Sequence, residues 1–163
     1  MMTTILRFLA VLALGTWVGS TIFLMFFVAP DVFRLMPTRD LAGAIVGLSL
    51  TRLHLMGMVA AFIYLVCHSW LLKQPGALVR PAALIVLVMV ILTAASQYGV
   101  TPRMADLRQE MVAEHGSVDA TPKASRLRTS FAQLHHVSVA LEIMILLLGL
   151  IALFILVRRI GLA

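Results

Sequence analysis

The stretch Thr129 to Val157, TSFAQLHHVSVALEIMILLLGLIALFILV, decides the fold class. It runs for longer than a membrane crossing needs and carries a single charged residue, Glu142. A bilayer core of about 30 Å takes about 20 predominantly apolar residues in a helix. Three further stretches have the same character: Phe8 to Pro30, Leu53 to Leu72 and Pro81 to Pro102 contain no Asp, Glu, Lys or Arg. Lipid offers no partner for backbone N–H and C=O groups, so spans of this composition must be helical. The expected fold is all-α, a polytopic bundle of four transmembrane helices in one domain, residues 1–163. Spans are expected at about 5–27, 53–72, 82–98 and 131–157, with a polar loop at 101–129.

Composition agrees. The chain is 61% hydrophobic and 12% charged, against about 25% charged in soluble domains. The net charge of +6 is scattered among loops, as membrane-flanking residues are, and does not point to nucleic acid. The lone cysteine, Cys67, excludes an internal disulfide. Arg7 ahead of an apolar run resembles a secretion signal, but the run is too long and Thr16-Trp17-Val18-Gly19 is a poor cleavage site. It is expected to be retained as the first span.

Proline is expected to stop span 1 at Ala29-Pro30. Gly15 and Gly19 form a Gly-x-x-x-Gly step of the kind that lets helices approach closely in lipid, and they suggest a homo-oligomer. Gly43 and Gly47 repeat the spacing, so Leu41 to Leu53 should be helical, either extending span 2 or lying at the interface. Gln74-Pro75-Gly76 marks a turn between spans 2 and 3. Met104 to Glu114 could form a short amphipathic helix, followed by a loop at Gly116 to Pro122. Val28-Ala29-Pro30 and Val100-Thr101-Pro102 close spans 1 and 3 alike, and Leu53-His54 and Leu134-His135 open spans 2 and 4 alike. This echo fits either two hairpin repeats or coincidence.

One membrane face carries Arg7, Lys73, Arg80, Arg158 and Arg159 without acids. The other carries eight basic residues and all six extramembrane acids. Short, purely basic flanks favour the cytoplasm, which places both termini there, in a bacterial inner membrane; simple counting of basic residues gives the reverse.

Ionisable groups inside a span are functional candidates by default. His54 and His68 lie about 21 Å apart along one helix face, too far for one compact site. His54 and His135 fall at one membrane level, where a haem b or a transition-metal ion such as copper could join them. Arg52, Arg103 and Arg128 lie on the same side to hold propionates. Met56 and Met58 near His54 add a weak copper signal. The bland alternative is two interfacial histidines bonded to loops. His135, Ser138 and Glu142, at i, i+3 and i+7, form one stripe. It would serve as a proton relay, as a cation site, as a partner to a ligated histidine, or as a protonated Glu that fixes packing. Thr16, Ser20, Thr21, Thr93, Ser96 and Gln97 could line the same interior. No nucleophile elbow, phosphate loop, zinc-protease helix or dinucleotide fingerprint is present. The leading expectation is binding or handling of a haem or transition-metal ion at this His/Ser/Glu site; the alternatives are a small ion or proton transporter or channel and a non-catalytic membrane scaffold, and an enzyme ranks below a binding or transport role.

The chain also resembles the transmembrane protein 205-like family of four-helix membrane proteins of unknown function. The likeness rests on the Trp17 region through Val32-Phe33-Arg34-Leu35-Met36-Pro37, on His54, on Pro102-Arg103, and on Leu127-Arg128-x-x-Phe131-x-x-x-His135-x-x-Ser138 with a polar residue at 142. Members of that family carry Asn at this last position, whereas this chain has Glu142. The resemblance implies an intramembrane polar site near Arg103, His135, Ser138 and position 142.

Overall fold

In the computed structural model, four helices long and apolar enough to cross a membrane account for most of the chain. Residues 1–72 and 80–161 are described, with side chains to 158. Lys73, the expected turn at Gln74-Pro75-Gly76 and the Arg159 side chain lie outside them. The helices are α1 (Met2–Leu35), α2 (Arg39–Leu72), α3 (Pro81–His115) and α4 (Arg126–Gly161). No strand occurs among the described residues. Each helix packs on its chain neighbours and α4 returns against α1, so the four close into an antiparallel ring.

The helices overrun the apolar stretches, and the prolines do not stop them. Between Phe23 and Ala29, and again between Ala95 and Thr101, the backbone widens into five-residue π-helical segments, Leu24–Val28 and Ser96–Val100. Pro30 and Pro102 follow immediately, each in the first turn of the resumed α-helix. Proline lacks an N–H and clashes with the carbonyl four residues back. One extra residue per turn moves that carbonyl out of the way. The Ser96 carbonyl, which accepts the Thr101 backbone N–H, also accepts a hydrogen bond from the Thr101 hydroxyl at 3.0 Å. The echo between spans 1 and 3 is thus matched by the same local device in both. Consequently Met104 to Glu114 belongs to α3, and Leu41 to Leu53 to the outer part of α2. Gly116, at φ 79°, ends α3 in the left-handed conformation that favours glycine.

The interior is built from small residues around a few large ones. Ala10, Ala13, Ala60, Ala61, Ala82 and Ala152 are buried with Trp17, Tyr64, Met89 and Ile145. Phe8, Phe26, Phe62, Ile91 and Phe154 point outward. Lipid is as apolar as the core, so helices gain by close backbone approach and not by hiding large apolar side chains.

The expected glycine contacts are redistributed. A Cβ on Gly15 or Gly19 would meet nothing within 4 Å, so this step makes no helix crossing within the chain. Gly57 and Gly149 do. A Cβ on Gly57 would lie 2.5 Å from the Trp17 ring, and one on Gly149 would lie 2.7 Å from Val18 Cγ2.

Candidate functional site

The π segment of α3 presents two polar side chains to the same place. Gln97 Oε1 lies 2.8 Å from His54 Nδ1. Ser96 Oγ donates to Glu142 Oε1 at 3.4 Å. His54 Nε2 and Glu142 Oε1 stand 2.7 Å apart. Three helices therefore meet through α2 His54, α3 Ser96 and Gln97, and α4 Glu142. His54 is 1% exposed and Glu142 5%, so the pair is buried within the bundle.

Proton bookkeeping follows from the donor inventory. With Nδ1–H donating to the Gln97 carbonyl oxygen, one proton remains between Nε2 and Oε1. It sits on Nε2, giving imidazolium and carboxylate, or on Glu142, giving a neutral pair in which the carboxyl donates to Nε2. Either form satisfies both atoms. Removing either side chain leaves a buried polar group without its partner, which is the costly case.

Glu142 also lines a cavity of about 680 Å³ between the outer halves of the helices. Its walls are largely apolar, with Leu24, Phe33, Leu50 and Phe131 among them. Ser138 and His135 climb from Glu142 along the α4 wall; Ser138 is buried, His135 exposed. Arg39, Arg108 and Arg128 also line it. The loop between α3 and α4 lies across this end. Asp40 accepts from the Val118 N–H at 3.2 Å, and Arg128 donates to the Val118 carbonyl oxygen. Asp119 stands 3.6 Å from Arg128 and 3.9 Å from Arg39.

The stripe His135, Ser138 and Glu142 thus shares one cavity. His54 and His135 are not joined: both ring nitrogens of His54 are taken, by Gln97 and Glu142. Among the described residues no three His, Cys, Asp or Glu side chains gather as metal ligands do. Met56 Sδ faces Ser20 Oγ at 3.9 Å. Arg52 and Arg103 are exposed and do not line the cavity; of the three arginines expected to hold a ligand, Arg128 alone does so. Arg39 and Arg108 line it beside Arg128. No periodicity signal marks them, because they come from separate helices outside the apolar stretches. Gln97 was legible as an amide in an uncharged run, but its partner was not. His68 lies at the opposite end of α2, stacked on Tyr64 with centroids 5.4 Å apart, beside a smaller cavity of about 190 Å³ that includes Arg7.

No curated protein and no solved structure matches the chain. Residues 12–113 match a domain family of unknown function, DUF4149. That match runs from within α1 through α2 into α3, includes His54, Ser96 and Gln97, and covers more than half of the sequence; the chain belongs to this family.

Proposed function

We propose that this protein is a small membrane transporter or channel in which His54 and Glu142 take up and release a proton. The observation that carries the reading is the buried 2.7 Å contact between them, with Glu142 opening onto the cavity. Titratable pairs inside a membrane are expensive and mark proton and ion pathways. Histidine suits the task because its charge changes near neutral pH. The likeness to the transmembrane protein 205-like family supports a polar function at position 142, though the Asn there excludes a shared acid. With both termini in the cytoplasm of a bacterial inner membrane, the cavity faces the opposite compartment.

The test is voltage-driven proton uptake by liposomes carrying the protein, a potassium gradient with valinomycin, and an entrapped pH dye. Wild type should acidify faster than empty vesicles. Glu142→Gln and His54→Gln should fall to the empty rate while still melting cooperatively as folded proteins. Wild-type flux no greater than that of empty vesicles sinks the reading, as does undiminished flux in both variants. The competing assignment, haem b or copper between His54 and His135, requires His54 to release Gln97 or Glu142. A Soret band or bound copper lost in His54→Ala and His135→Ala would replace the proton reading with that one.

A further inference from the structure

We infer that the large cavity binds an amphiphile with an anionic head, and that Arg108 holds the head. Arg108 comes from the outer part of α3, beyond Pro102, and turns into the bundle. Its guanidinium lies over the Phe131 ring, 5.7 Å from the centroid. Its Nη2 fills the place where Gly43 lacks a side chain, 2.5 Å from where a Cβ would stand. It is half-buried.

The neighbouring cations are already engaged: Arg39 and Arg128 share Asp119, and Arg128 also donates to Val118. Among the described residues no carboxylate lies within 4 Å of Arg108. Asp40, the acid whose charge reaches it, is bonded to the Val118 N–H. A guanidinium seated on an aromatic ring and lacking a carboxylate is a ready fork for a phosphate or carboxylate. The rest of the wall is chiefly aliphatic and aromatic, and the cavity falls within the range of about 300–1,000 Å³ occupied by small-molecule sites. A soluble anion would leave those walls without contact, and an uncharged hydrocarbon would leave the guanidinium without a partner. An anionic head on an apolar chain satisfies both.

This assigns a ligand class to the cavity and does not depend on proton transfer. Binding is read without flux, so either reading can fail alone. The experiment is calorimetric titration of the whole protein in a neutral maltoside detergent with four probes: dodecyl phosphate, dodecyltrimethylammonium, inorganic phosphate, and a diacyl phosphatidylglycerol. Dodecyl phosphate should bind saturably at one site. Arg108→Gln should weaken it at least ten-fold. Gly43→Ala should weaken it several-fold by displacing the guanidinium while keeping its charge. The cation and inorganic phosphate should not bind. Phosphatidylglycerol binding at the same site would identify the bilayer as the source of the ligand; its absence, with dodecyl phosphate still binding, would identify a single-chain compound. Loss of saturable binding, inorganic phosphate binding as tightly as dodecyl phosphate, or Arg108→Gln and Gly43→Ala both binding like wild type overturns the inference.

Discussion

The two halves of the bundle solve the same packing problem in opposite ways. Toward the chain termini the helices close on alanines and glycines: Ala10, Ala13, Ala60, Ala61, Ala82 and Ala152 surround Tyr64 and Met89, and the cavity there is small. Toward the long loop the helices carry His54, Gln97, Ser96 and Glu142 and stand apart around about 680 Å³. The difference lies in what each half offers at its contacts. Small residues let backbones approach and exclude everything else. A polar network holds helices at hydrogen-bond distance, and beyond it bulkier side chains and arginines leave space. A tightly packed half thus lies beside an open one.

The closed half is the easier of the two to disrupt. Gly57→Leu would drive side-chain atoms into the Trp17 ring, which already occupies that space. Overpacking of this kind costs about 1–3 kcal/mol or more. The variant should lose its monodisperse elution in detergent, and Gly149→Leu should behave likewise. The open half should respond to chemistry instead of volume. Glu142→Ala strands His54 Nε2 and should cost about 1–3 kcal/mol, whereas Glu142→Gln, which can still bond to the imidazole, should cost less. Thermal melts of Glu142→Ala, His54→Ala and the double variant check this. If the residues act as a pair, the double variant is less destabilised than the sum of the singles; strict additivity would show that the contact carries no coupling.

How much of this was legible in the sequence follows from what each residue depends on. The four helices were legible because lipid forces uncharged runs of that length into helices, and the His135, Ser138 and Glu142 stripe because it needs one helix and its period alone. The His54–Glu142 contact was not. It depends on how α2 and α4 are turned toward the centre of the bundle and on the π segment that brings Ser96 and Gln97 to the same place; Trp17 of α1 lying on Gly57 fixes α2 only against α1. The prolines misled for a related reason. A proline after an apolar run ordinarily predicts a helix end, yet the π segments before Pro30 and Pro102 let the helices continue. Arg108 carries no periodicity signal, because its cavity is assembled from residues distant in sequence.

Asp40 offers a finer probe of the open half. Its carboxylate accepts the Val118 N–H and so ties the loop down at the cavity end. Asp40→Ala removes that acceptor and should cost about 0.5–1.5 kcal/mol. Hydrogen exchange at the Val118 amide should accelerate while amides around Ala60 and Val86 stay protected. Equal acceleration in both regions would mean that the halves open together and the contrast between them is not energetic.

The smallest effect is expected where the sequence offered its plainest packing motif. Gly15 and Gly19 present open space to any added side chain, so Gly15→Leu should shift the stability of the isolated chain by no more than about 0.5 kcal/mol, the usual range for surface substitutions. Gly57→Leu adds the same group to the neighbouring helix, and the pair isolates position from chemistry. If Gly15→Leu leaves the melt unchanged but converts a larger species into a smaller one in size-exclusion chromatography with light scattering, the Gly15 and Gly19 step acts between copies, where small-residue motifs join helices in lipid. If melt and size both stay unchanged, the step is idle. If it destabilises the chain as strongly as Gly57→Leu, the packing of α1 described above is wrong, and the closed half owes its tightness to a different face of that helix.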